Sequence, residues 1–173
     1  MTAAAAAPPD LIAPTLRRRF ACLAYEGVLL FAVLFFAEYL FASLTQQRHA
    51  LYLRQVGMAF LFIVLGVYFV WFWTHGGQTL AMKTWRIRVV SRDGQPLTQA
   101  RALARYLAAW MWFLLPAVVL AVIGVQRLGG LGTLVLVPAC IVAYALLFRF
   151  HHTRQFPHDL LCGTRLVATD AKP

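Results

Sequence analysis

Long runs of apolar residues, separated by short polar segments, dominate the chain. Four of these runs have the length of a membrane-spanning helix, and they cover residues 20–44, 52–73, 103–125 and 131–148. About 20 helical residues cross a hydrocarbon core of about 30 Å, because each residue adds about 1.5 Å along the axis. The pattern therefore predicts an all-α membrane protein, a bundle of four transmembrane helices.

The third and fourth runs each contain a proline, Pro116 and Pro138, and only a short link, QRLGG, separates them. A proline inside a membrane helix kinks it, and neighbouring groups satisfy the carbonyl that is left free. We therefore expect two kinked helices that form an antiparallel hairpin.

The polar segment between the second and third runs has a pattern of its own. The sequence HGG at 75–77 ends the second helix, and Thr79 is a suitable cap for a short amphipathic helix. Further along, TQARALARY at 98–106 predicts a surface helix that leads into the third run.

Between these two helices, WRIRVV alternates like a strand. Trp85, Ile87 and Val89 share one face, the intervening arginines share the other, and Asp-Gly at 93–94 forms a turn. A lone strand is unstable. Because TRLVAT at 164–169 is the other β-rich stretch outside the apolar runs, we expect the two to form a small cytoplasmic sheet that joins the central loop to the C-terminal tail.

Composition agrees with a lipid environment. Hydrophobic residues make up 61% of the 173 residues and charged residues 13%, whereas soluble domains average about 45–50% and about 25%. The net charge of +10 comes from residues at the ends of apolar runs. This placement favours attraction to anionic lipid and argues against nucleic-acid binding.

The basic residues also predict the orientation of the helices. Thirteen of the sixteen lie in the N-terminal segment, in residues 74–105 and in the C-terminal tail, whereas Arg48, Arg54 and Arg127 lie in the other two connections. Lysine and arginine are concentrated on the cytoplasmic side of membrane proteins. We therefore expect both termini in the cytoplasm, with the chain in a bacterial inner membrane.

The chain divides into a flexible, Ala- and Pro-rich N-terminal tail (1–16), a membrane domain (17–169) and a short tail (170–173). The arginines before the first apolar run also fit the layout of a cleaved signal peptide. Glu26 interrupts that run early, and no convincing cleavage motif follows. A retained helix is therefore the favoured interpretation.

Acidic residues inside apolar runs are the strongest candidates for a site. A carboxylate at a helix centre costs about 2.5–3.5 kcal/mol, which singles out Glu26. Arg19 lies seven residues earlier on the same helical face, and the tail after the fourth run brings Asp159 back beside Arg19. We predict a buried cluster of Arg19, Glu26 and Asp159, which acts as a structural clamp or as an ion or proton site. Glu38 is expected near the outer interface.

Metal binding and catalysis have little support. His151, His152, His158, Asp159 and Cys162 are potential metal ligands, but their spacing matches no zinc pattern. No P-loop, no nucleophile elbow, no metalloprotease motif and no dinucleotide fingerprint occur. We expect no metal, no cofactor and no enzymatic activity.

Three stretches of the chain resemble the RDD family of bacterial membrane proteins, which is named for an Arg and two Asp residues. They are RRFACLAYE, HGGQTLAMKTWRIRVV and RQFPHDLLCGTRLV. The resemblance aligns the family's Arg with Arg19 and its last Asp with Asp159, while Glu26 replaces its first Asp and Ala81 replaces a common Gly. It also implies supporting roles for other residues of these stretches: Gly77, Thr79, Arg154, His158, Gly163 and Thr164.

The resemblance implies a membrane protein for which transport of ions or small solutes is the usual suggestion. Four helices leave little room for a pathway within one subunit, so we expect a homo-oligomer or a membrane partner protein in addition to the lipid bilayer. The alternative is an accessory protein that docks a partner through its basic cytoplasmic loop and tail, because residues 74–105 are more patterned than a connector requires.

Overall fold

A computed structural model describes residues 12–46, 53–149 and 156–169 of the chain. Helices alternate with one small sheet in the following order: α1 (Leu16–Leu44), α2 (Arg54–Thr74), α3 (Leu80–Thr84), β1 (Ile87–Ser91), α4 (Gln99–Ala109), a 3-10 turn (Trp110–Phe113), α5 (Leu114–Ile123), α6 (Val125–Arg149), α7 (Pro157–Leu161) and β2 (Thr164–Ala168).

Helices α1 and α2 confirm the first two apolar runs as helices of membrane-spanning length and hydropathy. Their burial pattern is inverted relative to a soluble protein. In α1 the buried residues are Arg19, Cys22 and Glu26, whereas Phe31 and Phe36 are 72% and 68% exposed. Large exposed apolar faces of this kind mark surfaces that contact lipid or another protein.

The third apolar run differs from its prediction as a single helix over 103–125. Its first two turns belong to α4, the 3-10 turn follows, and α5 has only ten residues, or about 15 Å of length. In α4, Arg105 and Tyr106 are buried on one side, while Leu103 and Leu107 are about half exposed on another. Helix α4 is therefore amphipathic, with one face buried in the protein and an apolar face exposed.

Helix α6 contains the fourth run, predicted over 131–148, and contacts α5; their antiparallel hairpin stays a prediction. Gly129, with φ 65° and ψ 179°, interrupts α6, and Pro138 lies inside it. Within the described residues, α1 and α2 are the two helices long and apolar enough to cross a membrane. The other two crossings, and with them the four-helix bundle, stay predictions.

The predicted sheet forms between the expected partners. Strands β1 and β2 are antiparallel, with Ile87 opposite Ala168 and Ser91 opposite Thr164. Trp85 departs from its prediction, because Arg86 has a left-handed φ of 51° that turns the chain before β1 begins. Trp85 is therefore exposed and does not share the strand face of Ile87.

The core lies at one end of α1 and α2, where both long helices meet the sheet. It combines Cys22 of α1, Trp73 of α2, Ile87 of β1 and Leu166 of β2. Arg18 donates a hydrogen bond to the Trp85 carbonyl, which fastens the start of α1 to the central segment. The start of α1, the central segment and the C-terminal strand thus share one end of the molecule.

The last residues of the predicted N-terminal tail (1–16) contact the fold. Residues 1–11 lie outside the described part of the chain, but Pro14 is buried and the Ile12 carbonyl accepts a hydrogen bond from Ala168 N at 2.9 Å. Thr15 caps α1, because its hydroxyl accepts from Arg18 N. The segment before α1 is therefore held against β2.

Replacing Gly77 with Ala should destabilise the fold strongly. Gly77 has φ +72°, and a Cβ there would lie 2.5 Å from the Val89 carbonyl oxygen. We expect a loss of about 2–4 kcal/mol, because strain in the left-handed region adds to a clash with backbone. Thermal unfolding of the purified protein in detergent measures the change.

Gly76→Ala is the matched control, since a Cβ at Gly76 meets no atom within 4 Å and its φ is not positive. Equal melting temperatures for the Gly76→Ala and Gly77→Ala variants would contradict the packing described for this turn.

Candidate functional site

Glu26 is held by two hydroxyl groups from other elements. Its side chain is 6% exposed, Oε1 accepts a hydrogen bond from Tyr68 OH of α2 at 2.7 Å, and Oε2 accepts one from Thr79 Oγ1. Among the described residues, no cationic side chain forms an ion pair with Glu26. The carboxylate is therefore satisfied by neutral donors.

Thr79 connects this carboxylate to the central segment. It confirms the predicted cap of α3, since its Oγ1 accepts a hydrogen bond from Met82 N at 3.2 Å. A hydroxyl has one proton to donate and two lone pairs, so Thr79 donates to Glu26 while it accepts from α3. Ala81, at the position where the family often has Gly, is fully buried in α3 beside α1.

Asp159 forms a buried ion pair, and its partner is Arg105. Arg105 Nε and Nη2 lie 3.0 and 2.9 Å from Asp159 Oδ1, and the Thr164 hydroxyl donates to the same oxygen at 3.2 Å. Asp159 is fully buried and Arg105 is 4% exposed. The Arg105 guanidinium also lies over the Trp73 ring, 4.2 Å from its centroid, where a cation is attracted by the π system.

Arg19 lies in the same buried region with different contacts. Its Nε donates to the Pro14 carbonyl at 3.1 Å, and its guanidinium lies 5.3 Å from the centre of the Phe156 ring. Asp159 and Arg105 are both within electrostatic range of it. The structure therefore brings Arg19 near Asp159 as expected, but the direct partner of the acid is Arg105.

His158 is buried beside this ion pair, stacked on the Phe156 ring. Burial lowers its pKa to about 4, the Asp159 carboxylate opposes that shift, and the cations Arg105 and Arg19 add to it. His158 Nε2 lies 3.7 Å from Asp159 Oδ1. Because the imidazole is neutral at pH 7, this contact is not an ion pair there.

A cavity of about 380 Å³ lies beside Glu26 and beside Arg105, the partner of Asp159. Four ionisable side chains line it: Arg19, Glu26, Arg105 and His158. The rest of its lining is largely apolar, with Leu23, Leu65, Phe69, Trp110 and Phe113 among the residues. The site is thus a mostly apolar chamber that contains a few ionisable groups.

The remaining predicted residues have separate positions. Gly77 and Gly163 adopt positive φ at turns, and the Thr164 hydroxyl contacts Asp159. Glu38 is exposed on α1 next to Gly57 of α2, away from the buried acids. Arg154, His151 and His152 lie outside the described residues.

Sequence reasoning missed Arg105, Tyr68 and Trp73 as members of this site. A signal for Arg105 was present, since the predicted third span began at Leu103 and so contained a cation with the same insertion cost that singled out Glu26. Tyr68 and Trp73 looked like ordinary aromatic residues of a membrane helix. Their roles depend on which face of α2 meets α1 and α4.

Apolar helices of membrane-spanning length, anchored at one end by a buried acid–base cluster, define a membrane-associated domain. The model of the RDD family matches residues 13–163, which include all three of its namesake positions in this chain. The protein belongs to the RDD family. Searches of curated proteins and of solved structures find no match to the chain.

Removing Arg105 should destabilise the fold by about 3–5 kcal/mol, because the Asp159 carboxylate would be left buried and unpaired. The change to test is Arg105→Gln, which keeps a polar side chain without the charge. Chemical or thermal unfolding in detergent measures it. The control is Arg101→Gln, which removes the same charge from the exposed side of the same helix. It should change the free energy of unfolding by less than about 0.5 kcal/mol. Equal losses of stability in the two variants would show that the ion pair does not anchor the fold.

The buried His158 predicts loss of stability in mild acid. Its pKa is about 4 in the folded protein and about 6.5 when unfolded, so the unfolded state binds more protons between these values. Stability contributed by neutral His158 is complete above about pH 6.5 and falls as the pH drops toward 4, by up to about 3 kcal/mol. Unfolding free energies measured across this range should show a smaller slope for His158→Gln than for wild type.

His75→Gln is the comparison variant, because His75 is exposed at the end of α2. If His75→Gln changes the pH dependence of the unfolding free energy as much as His158→Gln does, the loss of stability in acid does not come from the buried His158.

Proposed function

We propose that the protein is a transport-related membrane protein in which Glu26 exchanges a proton or a small cation. The supporting observation is the set of hydroxyl partners around this carboxylate. A hydroxyl can donate to an ionised carboxylate or accept from a protonated one. Glu26 can therefore be accommodated in either protonation state, and its oxygens together with those of Tyr68 and Thr79 are the ligand type preferred by hard cations.

Asp159 is suited to a different role. The Arg105 guanidinium donates two hydrogen bonds to one of its oxygens and is itself buried. Protonating Asp159 would leave Arg105 as an uncompensated buried charge, which is costly. We therefore assign the Arg105–Asp159 pair to the structural clamp and Glu26 to the exchangeable site.

We further propose that the protein acts as an oligomer. The cavity beside Glu26 is partly open, and α1 presents a row of phenylalanines that stay exposed among the described residues: Phe31, Phe35 and Phe36. A closed pathway requires further walls around Glu26. A second copy of the chain, or the hairpin of α5 and α6 from a neighbour, would supply them.

Flux measurements in proteoliposomes test the transport proposal. Wild type should carry proton or sodium flux above that of empty liposomes, and Glu26→Gln should lower the flux at least about tenfold, since the amide cannot ionise. Glu38→Gln is the matched control on the same helix and should behave like wild type. Transport is contradicted if wild type equals empty liposomes, or if Glu26→Gln equals wild type.

The proposed location is a bacterial inner membrane with both termini in the cytoplasm. The grouping of the start of α1, the central segment and β2 at one end supports a common side for all three, and their excess of basic residues favours the cytoplasmic side. A cysteine placed at Arg92, in the exposed turn after β1, reports on this in a variant without the native cysteines. A membrane-impermeant maleimide should label it only after the cells are permeabilised; labelling of intact cells would reverse the topology.

An accessory role remains the second candidate. The exposed side chains of Arg86 and Arg92, and Leu161 at 71% exposure, offer a surface to a partner. The sequence pattern of residues 74–105 is also explained within the fold, because these residues form the α3 cap and the strand that pairs with β2. The pattern alone therefore does not require a partner. Crosslinking from position 92 in native membranes tests this candidate, which loses its support if no specific partner is recovered.

A further inference from the structure

Two buried hydrogen-bond donors on the cavity wall have no acceptor. Arg19 Nη2 and Trp73 Nε1 are each without a hydrogen-bond partner among the described residues. Arg19 is 7% exposed, Trp73 is 4% exposed, and both line the 380 Å³ cavity. A buried donor without an acceptor costs about 1–3 kcal/mol, and more when it is charged, so both donors favour an acceptor group inside this cavity.

The local charge favours an anionic acceptor. Around Arg19 two guanidinium groups, its own and that of Arg105, face the single carboxylate of Asp159, and Asp159 is already bonded to Arg105. His158 is neutral and does not change this balance. Glu26 also lines the cavity and keeps its charge, since its hydrogen-bond donors are neutral, but it is not among the charged groups that act on Arg19. Arg19 is therefore the buried cation to which an added anion can bind.

The remaining walls favour an apolar chain attached to that anion. Leu65 and Phe69 of α2, together with residues of α1 and the 3-10 turn, form a largely apolar lining. A lining of this kind favours a ligand with an apolar part, and about 300–1,000 Å³ is the usual range for small-molecule sites.

Part of the cavity lining is both apolar and exposed. Leu23, Trp110 and Phe113 line the cavity and are 54%, 39% and 51% exposed. Exposed apolar residues of this kind mark a surface for lipid or another protein. An apolar chain can therefore reach the cavity along this surface, with its head group toward Arg19.

We propose that this cavity binds a single-chain anionic amphiphile, whose carboxylate or phosphate head is held by Arg19 and Trp73 while its chain lies along the apolar wall. The proposal goes beyond transport and does not depend on it, because it concerns binding alone. The shared chemistry is an anionic oxygen head on one apolar chain, whether the molecule is a free fatty acid or a lysophospholipid of the membrane.

Quenching of tryptophan fluorescence by a brominated fatty acid tests the proposal on the full chain in detergent. Trp73 and Trp110 line the cavity, so a bound brominated chain lies beside both. Wild type should bind the acid saturably and at least about tenfold more tightly than the brominated alcohol of the same chain length, because the alcohol lacks the charge-assisted hydrogen bond. Equal affinities for acid and alcohol would overturn the proposal and leave only an apolar cavity.

Two matched variants locate the head group. Arg19→Gln should remove the preference for the acid, whereas Arg17→Gln, which removes the same charge from an exposed position two residues earlier, should keep it. Equal binding by these two variants would overturn the assignment to Arg19. If Arg19→Gln does not fold, two other measurements test the proposal. They are the ratio of the wild-type affinities for the acid and the alcohol, and the binding of the acid by Ala109→Phe.

Ala109→Phe fills the cavity from the α4 side and should weaken acid binding at least about tenfold. Unchanged binding would place the ligand elsewhere and overturn the proposal. Competition distinguishes an amphiphile from a free anion: unlabelled oleate and a lysophosphatidic acid should both displace the probe at micromolar concentration. If millimolar acetate or inorganic phosphate displaces the probe as effectively as oleate does, the cavity is a site for free anions. That result would also overturn the proposal.

Discussion

The buried ion pair between Arg105 and Asp159 is the interaction on which the arrangement of this protein depends. It joins α4 to α7, two helices far apart in the sequence, and so fixes the C-terminal strand beneath the long helices. An ion pair in a low-dielectric site is costly to assemble and costlier to break on one side. Loss of either partner would therefore leave an uncompensated buried charge between α4 and α7.

Several other features of the site adjoin that anchor. Arg105 faces inward on α4, and Leu103 and Leu107 lie on its exposed side. Helix α4 ends at the 3-10 turn, which lines the cavity together with α1 and α2. The two carboxylates differ in their partners: Asp159 has a fixed cationic partner, whereas Glu26 has hydroxyl partners.

Much of the fold could be predicted from local pattern. Hydrophobic length predicted α1 and α2, alternation predicted β1 and its pairing with β2, and Thr79 predicted the start of α3. The buried residues Arg19, Glu26 and Asp159 were also identified, since charge inside an apolar chain is costly wherever it lies. Their hydrogen-bond and ion-pair partners were not identified, because these depend on which face of α4 points inward and on a turn that no periodicity in the sequence indicates. The cavity could not be predicted either, because its size depends on how closely the helices pack, and no local pattern in the sequence determines that.

The hydroxyl of Thr79 links Glu26 to the central segment of the chain. Its single hydrogen is donated to Glu26, while its oxygen accepts from Met82 N in the first turn of α3. One oxygen atom thus joins a buried carboxylate of α1 to the short helix that leads into the sheet.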